Sequence, residues 1–136
     1  MRIIRELPPN HSDILKVFPF ASNPEILYAF GDTIYTASQS EIPHFLLRHE
    51  EAHGMRQLIL EGGVEAWWDA YLSDVKFRYV EELVAHRVEY EARIEGAVNR
   101  QQRRLALKEV ARRLSAPMYG SMKSAANAKK DIMALI

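Results

Sequence analysis

Two histidines spaced four residues apart constrain this chain more than any other feature. Segment 48–57 contains the pattern His-Glu-x-x-His, formed by His49, Glu50 and His53. On an α-helix, side chains at positions i and i+4 lie on the same face, so both imidazoles can bind one metal ion. Glu50 then lies beside the metal, where it can act as general base to a metal-bound water. The alternative is a surface helix with two ordinary histidines.

The composition restricts which metal ion the chain could bind and which class of protein it could belong to. Without cysteine, a disulfide scaffold and a thiolate site are excluded, so a metal ion would be held by histidine and carboxylate, a donor set that suits Zn²⁺. Lys plus Arg and Asp plus Glu both number 18, and from this balance we expect no nucleic-acid partner. No apolar run approaches the ~20 residues of a membrane span, so we expect no membrane partner and a cytoplasmic protein.

The segments before and around the motif predict strands followed by a long helix. We expect an edge strand in residues 1–7, a short helix over 10–18, and a β-hairpin of residues 26–30 and 33–37 around Gly31-Asp32. A capping-box pattern from Ser38 to Glu41 predicts a motif helix from about residue 41 to 60. Within it, Gly54 costs ~1 kcal/mol relative to Ala, which a close approach of another backbone would explain.

A second long helix is predicted over 75–95, opened by Ser73-Asp74. At roughly 100° per residue, its apolar residues form a broad arc of Phe77, Val80, Leu83, Val84, Val88 and Ile94. Glu82, His86 and Tyr79 lie on one flank of this arc, Glu81 lies near the opposite flank, and Glu89 points away from it. A flank position suits a metal ligand, and it equally suits a Glu82–His86 pair along the helix.

The remaining segments are predicted to be helical. An aromatic segment, 64–72, is expected to form a short helix or lid that packs in the core, with substrate contact as the alternative. Asn99-x-x-Gln102 is typical of a capping box for a helix over 100–114, and Ser121 or Ser124 caps a last helix ending near residue 135. Basic residues from Arg100 to Arg113 indicate a solvated helix face, with an anionic partner as the alternative.

This order of parts resembles the gluzincin type of zinc metallopeptidase, of which small single-domain versions occur in bacteria and phages. The resemblance spans residues 26–119 and rests on four segments: the His49–His53 motif followed by Gln57, the strand Ile34-Tyr35-Thr36, the helix segment Glu82-Leu83-Val84-Ala85-His86, and the turn 114–120. It implies one α+β, mostly helical domain over residues 1–136. Its zincin-like core would hold a short β-hairpin and a His-Glu-x-x-His helix packed on a ligand-supplying helix.

The resemblance also implies roles for individual residues. His49, His53 and Glu82 would hold Zn²⁺, and Glu50 would activate water to hydrolyse a peptide or protein substrate. His86 is the alternative third ligand. Candidates to stabilise the oxyanion are Tyr119, Tyr79, Tyr90 and His86, of which Tyr119 and His86 rank first. Many relatives carry Asp at the position of His86, where it orients a ligating histidine, so this chain departs from the pattern there.

Two further functions compete with the peptidase. The fold could serve a non-catalytic phage structural or protein-interaction protein, with or without stabilising zinc, although such a protein has no need of a base at Glu50. A DNA-binding helical domain would rest on the basic residues between Arg100 and Arg113 alone.

Overall fold

The structure is a computed structural model that describes residues 1–116 and 123–134. In order along these ranges lie β1 (Arg2–Ile4), α1 (His11–Val17), a 3₁₀ turn (Pro19–Ser22), β2 (Tyr28–Phe30), β3 (Thr33–Tyr35), α2 (His44–Ile59), α3 (Gly63–Ser73), α4 (Val75–Ile94), α5 (Arg100–Leu114) and α6 (Ala125–Ala134). The predicted class, α+β and mostly helical, is confirmed. Among these helices none is long and apolar enough to cross a membrane.

The three strands form a small mixed sheet in the order β1-β3-β2. β2 and β3 make the predicted hairpin, with Phe30 opposite Thr33 and a two-residue turn between them. The first turn residue, Gly31, has a φ of 63°, which side-chain-bearing residues rarely adopt. β1 pairs with β3 in parallel, so it is the edge strand that the sequence predicts.

The hairpin turn lies directly against α2 at Gly54. A Cβ atom at Gly54 would overlap the carbonyl oxygen of Gly31, so a side chain is excluded there. One helical turn later, the buried amide of Gln57 accepts a hydrogen bond from the Gly31 backbone NH at 2.6 Å and donates to the Ala29 carbonyl at 2.9 Å. The predicted backbone approach at Gly54 is therefore confirmed, and it fixes the motif helix on the sheet.

The start of α2 differs from the prediction. The helix begins at His44, with Pro43 as its N-cap and no side-chain cap, so the capping box from Ser38 to Glu41 does not form. The Ser38 hydroxyl instead donates to the Glu25 carboxylate at 2.8 Å and accepts from the Ser40 backbone NH at 3.0 Å. These bonds stabilise the loop after β3. Because the Ser38 hydroxyl is engaged in them, it does not cap a helix.

α4 packs against α2, α3, α5 and α6. Asp74 caps its N-terminus, as predicted, by accepting from the backbone NH groups of Lys76 and Phe77. The predicted apolar arc is correct in part: Phe77, Leu83 and Ile94 pack against the apolar clusters described below, but Val80 is 49% exposed. The buried residues of the helix are instead Arg78, Tyr79, Glu81, Glu82, Ala85, His86, Glu89, Tyr90 and Ala92. With neighbours on several sides, α4 has no single apolar face, and charged groups make up much of its buried surface.

Two apolar clusters flank this polar interface. One joins α1, the 3₁₀ turn, β2 and α3 around Trp67, Trp68 and Tyr71, which confirms the core role predicted for the aromatic segment. The other joins α4 to α5 and α6 through Tyr79, Tyr90, Val110, Ala111, Leu114, Ala128 and Ile132. The predicted caps of α5 and α6 also form: Asn99 accepts from the Gln102 NH, and Ser124 from the Asn127 NH.

Candidate metal centre

The two motif histidines and one glutamate converge at the buried interface of α2 and α4. Nε2 of His53 lies 2.9 Å from Oε2 of Glu82, and Nε2 of His49 lies 3.3 Å from Oε1 of the same carboxylate. All three side chains are at most 5% exposed. The i, i+4 spacing thus places both imidazoles on the face of α2 that meets Glu82.

This arrangement suits a metal ion. The ligand atoms of His49, His53 and Glu82 all lie within 4.8 Å of one another. Bonds of about 2.0–2.1 Å in a tetrahedral site separate neighbouring ligand atoms by roughly 3.3 Å, so little rearrangement would be needed. These buried residues, with His86 next to them, could therefore hold a metal ion.

Tyr71 contributes to the centre from α3. Its hydroxyl donates to Oε2 of Glu82 at 2.6 Å, and its ring lies edge-on to that of His53. This contact orients the carboxylate towards the histidines. The sequence predicted a core role for the segment of Tyr71, with substrate contact as the alternative, and did not predict its bond to Glu82. Aromatic neighbours are a core signal, and no local pattern indicates where a hydroxyl will point.

Glu89 orients His49 from the opposite side of its ring. Oε1 of Glu89 accepts from Nδ1 of His49 at 3.0 Å, which leaves Nε2 of that ring facing Glu82. Oε2 of Glu89 accepts from Arg93 on α4 and Arg113 on α5. The prediction that Glu89 points away is therefore wrong: it lies seven residues after Glu82, only about 20° away around the helix, and α5 and α2 both cover that side of α4. Such a carboxylate–histidine contact fixes the tautomer of a ligating imidazole.

His86 lies behind His49 and is fully buried. Its Nδ1 donates to the backbone carbonyl of Glu82 at 2.7 Å, and its ring meets that of His49 edge-on at 4.6 Å. Burial, and then the nearby charge of His49, lower the pKa of His86 to about 3, so the ring is neutral. The structure thus brings His86 to the centre, in contact with the His49 ring.

A second group, His49, His86 and Glu89, also satisfies the distances for metal binding. The guanidinium groups of Arg93 and Arg113, however, both bond to Glu89. Two cations at hydrogen-bond distance from a ligand oppose a third positive charge. The group of His49, His53 and Glu82 is therefore the better candidate.

Charge pairing links the histidines and glutamates of the centre. Burial alone would lower the pKa of His49, but its hydrogen bonds with Glu82 and Glu89 raise it to about 10. Burial would raise the pKa of Glu82, yet the two histidines bring it well below its usual range. For Glu89, His49 and Arg113 outweigh burial and lower the pKa to about 2. Protonated imidazole then stands between carboxylates, where a metal ion would replace the proton.

Glu50 lines a cavity that also borders the candidate metal centre. It is half-buried, and desolvation raises its pKa despite the nearby histidines. With His49, His53 and Glu82 it lines a cavity of about 80 Å³. The other walls are mainly apolar and aromatic, from α1, the 3₁₀ turn, the β2 region and α3; Phe18, Tyr28, Trp67 and Trp68 are among them. The cavity is thus apolar with a cluster of ionisable groups.

The other sequence candidates lie elsewhere. Glu81 binds the Arg56 guanidinium at 2.8 and 2.7 Å and accepts from Trp67 Nε1 at 2.7 Å, so its oxygens are engaged away from the centre. The Tyr79 hydroxyl donates to Asp131 on α6, and the Tyr90 ring packs in the same apolar cluster as Tyr79. Tyr119 lies outside the described residues.

Comparison with models of protein families, with curated proteins and with solved structures finds no match. The geometry of the centre therefore carries the functional argument.

Proposed function

We propose that this protein is a zinc-dependent peptidase. The observation that carries the proposal is the convergence of buried His49, His53 and Glu82, with Glu50 on the wall of the same cavity. Two nitrogens and one carboxylate, with room for a fourth position, are the donor set of a catalytic zinc site rather than of a closed structural one. Carboxylate and imidazole without thiolate also fit the absence of cysteine.

Zinc held by these residues would supply Lewis acidity to a water molecule and to a peptide carbonyl. The chain's own residues would transfer the proton, position the ligands and stabilise the oxyanion. Glu50 takes the proton of the attacking water and returns it to the leaving amine. Tyr71 and Glu89 hold Glu82 and His49 in position. Tyr119 remains the group proposed to stabilise the oxyanion. His86, the other group proposed from the sequence, lies behind His49 and does not line the cavity, so it is the less favoured of the two.

The fold is compatible with a zincin-like core, which is part of the proposal. The His-Glu-x-x-His helix, α2, packs on α4, which carries Glu82, and the hairpin of β2 and β3 packs on α2. A hydrophobic substrate side chain would suit the aromatic wall of the cavity. The substrate would be a peptide or an exposed segment of a protein.

Burial favours one alternative, a non-catalytic protein in which the metal stabilises the α2–α4 interface. The three ligand side chains are at most 5% exposed, and the cavity of about 80 Å³ is small for a peptide. Metal sites that serve only structure contribute mainly to folding. Glu50 favours the enzyme, because a structural ion requires no base beside it.

Neighbouring glutamates give a matched test of the two functions. Glu50→Gln removes the proposed base, whereas Glu51→Gln changes a side chain that is 41% exposed and paired with Arg48. Zinc content, melting temperature and cleavage of an unbiased peptide library are measured for both variants, for wild type and for His49→Ala. For a peptidase, Glu50→Gln should retain zinc but lose about 10²–10⁴-fold in rate, and Glu51→Gln should match wild type.

The possible outcomes distinguish the peptidase from the non-catalytic protein. Zinc without cleavage in wild type would favour the structural alternative. Cleavage by Glu50→Gln at the wild-type rate would remove Glu50 from the mechanism. Wild-type protein that neither contains zinc nor takes it up would contradict both functions.

A further inference from the structure

Charge is segregated along this chain although its total is zero. Residues 98–136 contain nine Lys and Arg against two Asp and Glu, a net charge of +7, while residues 1–97 contain nine against sixteen, a net charge of −7. The positive part includes α5 and α6, which pack on each other and on α4. The expectation of no nucleic-acid partner rested on the total charge, which conceals this separation.

A basic groove lies between α5 and α6. It has a volume of about 320 Å³ and is lined by Gln101, Arg104, Leu105, Leu107, Lys108 and Lys129. Its charged groups are therefore all positive. None of the residues that line the groove lines the cavity of the candidate metal centre, so the two sites are distinct.

Most cations of this surface lack a carboxylate partner. Arg112, Arg113 and Lys123 pair with Glu109, Glu89 and Asp131. Across residues 1–116 and 123–134, by contrast, no carboxylate lies within ion-pair distance of Arg100, Arg103, Arg104, Lys108, Lys129 or Lys130. A surface of unpaired charges of one sign attracts polyanions over long range.

The arrangement on α5 favours phosphates over an acidic protein. Arg100, Arg104 and Lys108 recur every four residues, about 6 Å apart along the helix axis. The sequence of α5 contains no aromatic residue, so it offers neither the aromatic anchors typical of protein interfaces nor platforms for stacking bases. We propose that the α5–α6 groove binds the phosphate backbone of a nucleic acid without sequence preference. This proposal is independent of the peptidase.

The test measures anisotropy of a short fluorescent DNA duplex with the full chain. Each phosphate contact contributes a slope of about −0.9 to log K against log salt, so three contacts predict about 40-fold weaker binding at 200 than at 50 mM salt. The groove variant combines Arg104→Glu, Lys108→Glu and Lys129→Glu. The control combines Arg2→Glu, Lys16→Glu and Lys76→Glu, three exposed cations in the negative part with the same change in net charge.

We expect the groove variant to lose binding and the control to keep most of it, with melting temperatures reporting on the fold. If the groove variant does not fold, the single variants Arg104→Gln and Lys108→Gln should each reduce the salt slope by about 0.9. Equal losses in the groove and control variants, undetectable binding at low salt, or equally tight binding of a fluorescent polyglutamate peptide would each overturn the proposal. Tight binding of polyglutamate would indicate that the partner of this surface is an acidic protein.

Discussion

Glu89 and His49 are 40 residues apart in sequence, yet Oε1 of Glu89 accepts a hydrogen bond from Nδ1 of His49 at 3.0 Å. The contact joins α4 to α2 and presents the opposite ring nitrogen of His49 to Glu82. Arg113 extends the chain of contacts to α5. The ligand face of His49 is therefore set by a residue outside the motif.

Removing the charge of Glu89 should weaken metal binding. We expect Glu89→Gln to lower zinc affinity about 10–100-fold, the usual cost of losing a carboxylate that orients a ligand. Competition with a chromophoric chelator would measure it, at a temperature where the variant is folded. Glu91→Gln is the control, since that side chain lies on the same helix, is 55% exposed and pairs with Arg87. Equal affinities for both variants and wild type would contradict this role.

Adjacent glutamates on α4 should behave differently. Glu82→Gln should remove most zinc from the purified protein, because its carboxylate faces both histidines. Glu81→Gln should keep about one zinc per chain but lose about 1–3 kcal/mol of stability, since the charged partner of Arg56 and Trp67 is gone. Elemental analysis and urea unfolding distinguish them. If Glu81→Gln lost zinc and Glu82→Gln kept it, the assignment of Glu82 as the ligand would be wrong.

Zinc should stabilise the folded chain through the motif histidines. At a free concentration 100-fold above its dissociation constant, a ligand adds about 2.7 kcal/mol to the free energy of unfolding. We expect this gain in wild type and in His44→Ala, whose histidine lies on α2 but is 63% exposed. His53→Ala should show no comparable gain. Calorimetry with and without zinc gives the comparison, and a zinc-dependent shift in His53→Ala would argue against the site.

A methyl group at Gly54 should disrupt the contact between α2 and the hairpin. Because its Cβ would overlap the backbone oxygen of Gly31, we expect Gly54→Ala to cost about 1–3 kcal/mol, despite the better helix propensity of alanine. At Gly96, an added Cβ meets no atom within 4 Å, so Gly96→Ala should change stability by less than about 0.5 kcal/mol. Urea unfolding of both variants measures the difference; a stabilised Gly54→Ala would contradict the close approach.

Local signals in the sequence were sufficient for much of the fold. Asp74, Asn99 and Ser124 cap helices as predicted, because capping depends on residues within one turn. The hairpin and the unusual Gly54 were likewise readable from short patterns. Ser38 shows the limit: the same hydroxyl that predicts a cap is bonded to Glu25, thirteen residues away.

The motif identified His49 and His53, and the helix pattern placed Glu82 among the candidates. The sequence did not predict Glu89 and Tyr71 as partners of the centre. Assigning the buried side of α4 from hydropathy assumes that apolar residues face inwards, but α4 directs Glu82, His86 and Glu89 inwards and leaves Val80 at the surface. Which carboxylate meets which histidine depends on the crossing of α2 and α4, and that crossing is set by contacts distant in sequence.

The polar inner face of α4 means that the protein holds its candidate site where another small domain would have its densest apolar packing. Replacing buried charge networks by apolar residues of similar volume is often neutral or stabilising by about 1–4 kcal/mol. A redesign that replaced the whole network, His49, His53, Glu82 and Glu89 together with the Glu89 partners Arg93 and Arg113, by apolar side chains would therefore be expected to give a more stable protein without the candidate metal site. Selection for thermal resistance alone would erode the centre, and selection for its chemistry would oppose that drift.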